Sequence, residues 1–375
     1  MARRKHDEGS IFQRKDGRWV AQVRLENGQK KQRYFKPNQE KEARVALRKM
    51  LYEKEQGALA TGPQQTLKAY LEQWLEQVYR PSGHSIGTYN MYRIVIEKHI
   101  IPSLGHIRLQ QLKPQQVQAF YASKLNEGLS QKRVKSIHSV LHKALENAVK
   151  WNLVGRNVCD LVSSPIPRRH EIQPLTQEQA QRLLKAAHDH KLEALLTVAL
   201  TTGMRRGELL GLHWQDIDLN TGSIQVRRSV NRIGKHGLVV SEPKTARSRR
   251  RIVLPAFVMD VLKQHRQHQQ EMKRQVGDVW REMDIVFCNT VGGYIEPSNL
   301  HDWFKKLLKS AELPNIRFHD LRHSAATILL GMGVHPKVVQ ELLGHSNIST
   351  TMDIYSHVLP SMQQEAMSKL DDLFK

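Results

Sequence analysis

Between residues 10 and 35 the chain alternates with a period of two: Trp19, Ala21, Val23 and Leu25 fall on one side, Val20, Gln22 and Arg24 on the other. That is the spacing of a half-buried strand. Lys15-Asp16-Gly17 and Asn27-Gly28 interrupt it, and Asn-Gly supplies the positive φ values of a type I′ hairpin turn. A three-stranded sheet closing at Phe35 follows. After Asn38, a residue able to cap a helix, the period lengthens. Ala43, Ala46, Leu47, Met50 and Leu51 form one stripe, predicting a helix to about Gln56.

A Gly-, Ala- and Thr-rich stretch, residues 57–65, reads as a linker. Beyond it four helical patterns span residues 67–79, 86–100, 114–126 and 131–151, the third opening on Pro114. Ser163-Ser164-Pro165-Ile166-Pro167-Arg168-Arg169-His170 is a second linker, because prolines interrupt both helix and sheet. Thr176 with Gln179 has capping-box spacing and opens a third segment. Here 223–229, 238–241 and 250–254 read as strands of one sheet among helices. The expected architecture is α+β and multidomain. Residues 1–60 form a small three-stranded β-sheet plus helix, 66–165 an all-helical domain, and 174–375 a mixed, mainly α domain with a small antiparallel sheet.

Charge narrows the partners. Across 375 residues, 58 Lys and Arg oppose 36 Asp and Glu, a net charge of +22. An excess of that size points to a polyanion, nucleic acid first, since lysines and arginines that neutralise phosphates release counterions. Residues 1–60 alone hold sixteen Lys or Arg against eight Asp or Glu. A sheet carrying Arg14, Arg18, Gln22, Arg24, Lys31 and Arg33 is therefore read as entering a DNA groove, with a plain solvated basic face as the alternative. The helix over 131–151 sets Lys132, Arg133 and Lys135 beside an apolar stripe of Val134, Ile137, Leu141, Leu145 and Ala148. A phosphate-facing surface is expected there, and Arg168 and Arg169 would lie along DNA in the linker. No apolar run is long enough to span a bilayer, and the N-terminus lacks the apolar core of a secretory signal. Two distant cysteines, Cys159 and Cys288, exclude a disulfide framework or a cysteine-rich zinc site. HExxH is absent despite 19 histidines. The expectation is a soluble, cytoplasmic chain without metal or other cofactor.

Several polar residues of the third segment sit where packing alone would not ask for them. In Thr202-Gly203-Met204-Arg205 the arginine follows a glycine turn at the start of a helix, with Glu208 three residues on and so on the same face. In isolation this pair is as readily a surface ion pair. Lys244 is expected at a hairpin tip, ordinarily a solubilising position. His319-Asp320-Leu321-Arg322 places two donors on one helical face, and Leu342-Leu343-Gly344-His345 ends another helix. Tyr355 follows ten residues after His345, and a lone Tyr beside Ile354 is more often core filler.

The ordered set — TGxR, a lysine on a β-hairpin, HxxR, LLGH, then a tyrosine ten residues after the histidine — resembles the tyrosine recombinase (phage integrase) family. Trp214-Gln215-Asp216-Ile217-Asp218 looks like that family's structural motif after the first arginine. The likeness spans roughly 175–358. Residues 66–165 are similar to its helical core-binding domain, and 9–56 to the sheet domain with which mobile-element integrases grip arm sites. The resemblance implies that Tyr355 attacks a DNA phosphodiester to give a 3′-phosphotyrosine. Arg205 and Arg322 would bind the non-bridging oxygens, His319 would serve as proton acceptor or hydrogen-bond donor beside the tyrosine, Lys244 would protonate the leaving 5′ oxygen, and His345 would hydrogen-bond the phosphate. Glu208 would orient the cationic side chains. It further implies a homotetramer on double-stranded DNA with core-type and arm-type sites, a Holliday junction, no ATP, and an excision accessory factor or host DNA-bending protein. Met362, Ala366, Met367, Leu370, Leu373 and Phe374 could form one apolar helical face, packed in its own subunit or docked on a neighbour. A type IB topoisomerase-like activity and a non-catalytic DNA-binding regulator remain as alternatives.

Overall fold

The computed structural model describes residues 9–24, 30–55, 65–167, 173–242, 249–345, 347–349, 351, 352, 367 and 374. It divides into two compact units, Met1–Arg169 and His170–Lys375.

The first unit opens with the antiparallel strands β1 (Ser10–Gln13), β2 (Trp19–Arg24) and β3 (Lys30–Phe35), in that order across the sheet. The register pairs Ala21 with Arg33 and Val23 with Lys31. Residues 25–29, with the anticipated Asn-Gly turn, lie outside the described residues. Helix α1 (Glu40–Glu55) covers one face, where Ala21, Val23 and Met50 are fully buried against Phe35, Leu47 and Leu51. It starts two residues after Asn38, directly behind Gln39, whose side chain accepts the Lys36 N–H.

The helical part comprises α2 (Leu67–Trp74), α3 (Ile86–Val95), α4 (Ile101–Leu104), α5 (Pro114–Asn126) and α6 (Gln131–Lys150). Helices α2 and α3 each continue into a π-helical turn, Leu75–Tyr79 and Ile96–Ile100. Local signals set the starts: Thr66, Ser85 and Ser130 cap α2, α3 and α6. Val134, Ile137, Leu141, Leu145 and Ala148 of α6 are buried, each of the larger ones contributing about 1.5–3 kcal/mol. Tyr70 and Trp74 of α2 are buried against this helix, with the Tyr70 hydroxyl donating to the Ala144 carbonyl at 2.5 Å. This leaves Lys132 and Lys135 exposed and Arg133 half-buried on the opposite side of α6.

In the second unit, α7 (Gln177–Ala186) begins at the Thr176–Gln179 capping box. There follow α8 (Glu193–Thr202), α9 (Arg206–Leu210), and strands β4 (Ile217–Asp218), β5 (Ser223–Gln225), β6 (Ser229–Arg232), β7 (Leu238–Ser241) and β8 (Arg251–Val253). Helices α10 (Ala256–Val276), α11 (Pro297–Ser310), α12 (Asp320–Gly331) and α13 (Pro336–Leu343) complete it. Helix α8 is buried nearly all round, between α10 and α12. The single expected sheet is corrected to two, β4-β5-β8 and β6-β7. The run 223–229 is interrupted over 226–228, where Arg227 and Arg228 both approach the buried carboxylate of Asp216, Arg228 at 2.7 Å. The hairpin tip expected at Lys244 lies outside the described residues; of the described strands on either side of it, β7 pairs with β6 and β8 with β5, and Arg249 pairs with Glu242.

Candidate active site

Two loops and two helix starts converge in the second unit. Helix α8 ends at Gly203 with a left-handed φ of 60°, and a Cβ there would lie 2.2 Å from the Leu343 side chain. Glycine is thus required both by conformation and by the close approach of α13. The next turn puts Arg205 immediately before α9. Its backbone N–H donates to one Glu208 oxygen at 3.0 Å, and its Nη1 to the other at 2.8 Å. Gly207 lets α9 lie against β6, since a Cβ there would meet Ser229 Oγ at 2.5 Å. Helix α13 likewise ends at a left-handed glycine, Gly344, whose carbonyl accepts Arg205 Nη2 at 3.2 Å.

Arg322, on the first turn of α12, donates from Nη1 to the Gly203 carbonyl at 2.8 Å. Its Nη2 is buried without a partner among the described residues. Burial, followed by the charges of Arg205 and Arg250, lowers its pKa to about 9. Burial disfavours the charged guanidinium, and the neighbouring cations add to that. Glu208 is the nearby compensating carboxylate. Burial pushes it upward, but Arg250, by charge and a 3.0 Å hydrogen bond, and Arg205 outweigh this and hold it below its usual value.

The histidines complete the rim. His345 is buried, with Nδ1 2.9 Å from Thr351 Oγ1 and its carbonyl accepting the Gln340 amide. Burial, then Arg322 and Arg205, depress its pKa to about 3. His319 stands at the start of α12 with its outer edge open to solvent and its ring edge-on to His323, centroids 5.5 Å apart. Partial burial and the neighbouring His323 and Arg322 lower it to about 4. Both imidazoles are neutral at pH 7, each with one ring N–H to donate and one ring nitrogen to accept a hydrogen bond. A cavity of about 380 Å³ borders this cluster, lined by Arg250, Lys337, Gln340, Glu341, Gly344 and His345. Arginine forks, neutral imidazoles and a buried donor with no partner among the described residues are groups that can hold a tetrahedral oxyanion.

The structure therefore brings together Arg205, Glu208, Arg322 and His345, with His319 beside them. Lys244, Tyr355, Arg168 and Arg169 lie outside the described residues, as does most of the C-terminal stripe; Met367 and Phe374 are exposed. The sequence reading missed Arg250 and Thr351. Strand alternation could have found the first, because Arg250 shares parity with the buried Ile252 and Leu254. Nothing local marks the second.

The sheet residues do not share one face. Gln22 and Arg24 project from the face opposite α1, with Gln32 and Tyr34. Lys31 and Arg33 lie on the α1 side, at the outer strand. Arg14 and Arg18 flank the β1–β2 turn, where both pair with Asp16. Among the described residues one trio, His188, Asp189 and Glu193, has metal-ligand spacing. It lies at the turn before α8 and is joined internally, His188 to Glu193 at 2.9 Å.

Residues 173–362 match the Phage integrase family, and residues 66–125 the phage integrase N-terminal SAM-like domain. A Caldanaerobacter subterraneus protein called tyrosine recombinase XerC-like is 33% identical over 94% of both chains. The ICEBs1 integrase of Bacillus subtilis is 30% identical over 76% of this chain and 77% of its own. Among solved structures, the Tn1549 transposon integrase in complex with transposon right end DNA aligns with a TM-score of 0.69 at 22% identity, covering 82% of this chain and all of that one. A lambda integrase tetramer bound to a Holliday junction aligns at 0.58 and 18%, covering 94% and 96%. The motifs read from the sequence, the site they build and these relatives agree: the chain belongs to the phage integrase family of tyrosine recombinases, and is a DNA strand transferase.

Proposed function

We propose that the chain cuts and rejoins double-stranded DNA through Tyr355, integrating or excising a mobile element. The observation that carries this reading is the buried Arg322, whose Nη2 has no partner among the described residues, and whose charge is disfavoured by burial first and by Arg205 and Arg250 second. A phosphodiester supplies the missing negative charge and acceptor oxygens.

The chemistry follows from what each group offers. A phenol with a pKa near 10 is a poor nucleophile at pH 7. Neutral His319 accepts its proton as Tyr355 Oη attacks phosphorus. Arg205 and Arg322 take the charge that develops on the non-bridging oxygens, and His345 hydrogen-bonds the same phosphate. The bond from phosphorus to the 5′ oxygen breaks, and Lys244 protonates that oxygen. A 3′-phosphotyrosine and a free 5′-hydroxyl result. The ester conserves the bond energy, so rejoining needs no ATP or metal. A 5′-hydroxyl from a second duplex reverses the step, and two such exchanges pass through a Holliday junction in a homotetramer.

Residues 174–375 serve as the catalytic domain, 66–165 as the core-binding domain with Lys132, Arg133 and Lys135 toward phosphates, and 1–60 as the arm-binding domain. Arg168 and Arg169 follow the DNA between them. Excision draws on an accessory factor or a host DNA-bending protein. No helix among the described residues is long and apolar enough to cross a membrane, in keeping with action on DNA in a bacterial cytoplasm. The test incubates the full chain with two marked duplexes bearing the element's attachment sites. Exchanged flanks support the proposal. Relaxed circles without exchange indicate a topoisomerase, and binding without any strand breakage indicates a regulator; either refutes it.

A further inference from the structure

Three arginines stand in a row at the start of β8, and only the middle one is inside. Arg249 and Arg251 are exposed, whereas Arg250 is 8% exposed. A buried guanidinium needs acceptors matched to its planar fork. Arg250 Nη2 donates to Glu208 Oε2 at 3.0 Å, and its Nε to the Leu342 carbonyl at 2.6 Å. The other Glu208 oxygen holds Arg205 Nη1, and Arg205 Nη2 reaches the Gly344 carbonyl. Leu342 and Gly344 belong to the turn that presents His345. The contacts close into a ring through the start of β8, helix α9 and the end of α13.

We propose that Arg250 is a positioning residue for strand cleavage: by closing this ring it fixes the separation of the Arg205 guanidinium and the His345 imidazole before DNA binds. The proposal rests on the reading of the site given above. Arg250 acts here through Glu208 and the Leu342 carbonyl rather than on the phosphate. A lysine keeps the charge but has no rigid fork to hold two acceptors in fixed directions. A methionine fills similar space and releases both. Without Arg250, burial acts on Glu208 opposed mainly by Arg205, and its carboxyl moves upward.

The experiment measures single-turnover cleavage of a nicked suicide duplex by the full chain, across pH 5.5 to 8.5, beside DNA affinity and thermal melting. Loosening a catalytic group by about 1 Å costs on the order of 100-fold. R250M is therefore expected to slow cleavage about 100-fold at saturating DNA, with Kd within about threefold of wild type, and R250K to fall between. The R250M rate should also rise with pH more steeply than that of wild type, as Glu208 loses its proton. R250M/E208Q should lose that added dependence and be no slower than R250M. R250M cleavage within threefold of wild type, multiplying effects of the two substitutions, or an unaltered pH profile would overturn the proposal. So would failure of both R250K and R250M to fold, since Arg250 would then be only a strut. A wild-type chain that forms no adduct overturns the reading of the site itself. A reactive wild type beside an equally reactive R250M overturns the positioning role alone.

Discussion

Replacing Glu208 with glutamine removes one charge from the centre of the site and almost no volume. The wild-type carboxylate side chain is 4% exposed and bonds Arg250, 7% exposed, at 3.0 Å. It also bonds Arg205 at 2.8 Å, but that partner is 38% exposed, so solvent screening reduces its share to about 1 kcal/mol or less. The Arg250 pair dominates. Removing one member of a buried pair leaves the other charge uncompensated and costs about 3–5 kcal/mol. Glutamine still offers one acceptor oxygen, which favours the lower end, about 3 kcal/mol. For a unit of this size each kcal/mol moves Tm by about 2–4 °C, so E208Q should melt about 6–12 °C lower at pH 7. The pH dependence has a definite sign. Glu208 is held below its ordinary value of 4.5, so its stabilisation is fully present above that pH and fades as pH falls through the folded-state value. Calorimetric melts of both proteins should show a constant gap above pH 5 that closes below 4.5. A Tm within 2 °C of wild type, or a gap indifferent to acid, would refute the network.

Other consequences are simpler. With its pKa lowered to about 3, His345 stays neutral while the unfolded chain binds a proton, so its contribution to stability is present above about pH 6.5 and falls toward pH 3. Its ring resonances should not titrate between pH 5 and 8, and a midpoint near 6.5 would contradict the burial argument. Gly203→Ala must strain a left-handed backbone and displace Leu343, costing about 1–3 kcal/mol; melts and suicide-substrate cleavage should fall together, and wild-type behaviour in both would contradict it. Removing Lys132 and Lys135 together should flatten the dependence of log K on log salt by about 1.8, or about 0.9 per phosphate contact. An unchanged slope would take α6 off the DNA.

How much of this was legible follows from how local each signal is. Helix α5 was read end to end because Pro114 fixes its start, and α6 to within one residue because Ser130 caps it and its apolar stripe is unbroken. The motif residues of the site could be named because their order along the chain is the family's signature. The strands of the second unit were less legible. Residues 223–229 read as one strand, since the pairing of Arg228 with the Asp216 carboxylate, which accompanies the break, leaves no periodic mark. Lys244 is expected at a hairpin tip, and that tip lies outside the described residues. Arg250 was hidden in an arginine run whose charge suggested solvent. Only the parity of β8, read through to Leu254, places it inside.

The central claim is that one phenol oxygen, set among fixed cations, becomes bonded to a DNA 3′ end. The direct measurement traps wild-type protein on a nicked duplex, digests it, and identifies the nucleotide-bearing peptide by mass spectrometry, with Tyr355→Phe as the control. The account predicts a single modified peptide carrying the label on Tyr355, and normal DNA binding without adduct in the control. Label on another residue, or an adduct persisting in Tyr355→Phe, would contradict it.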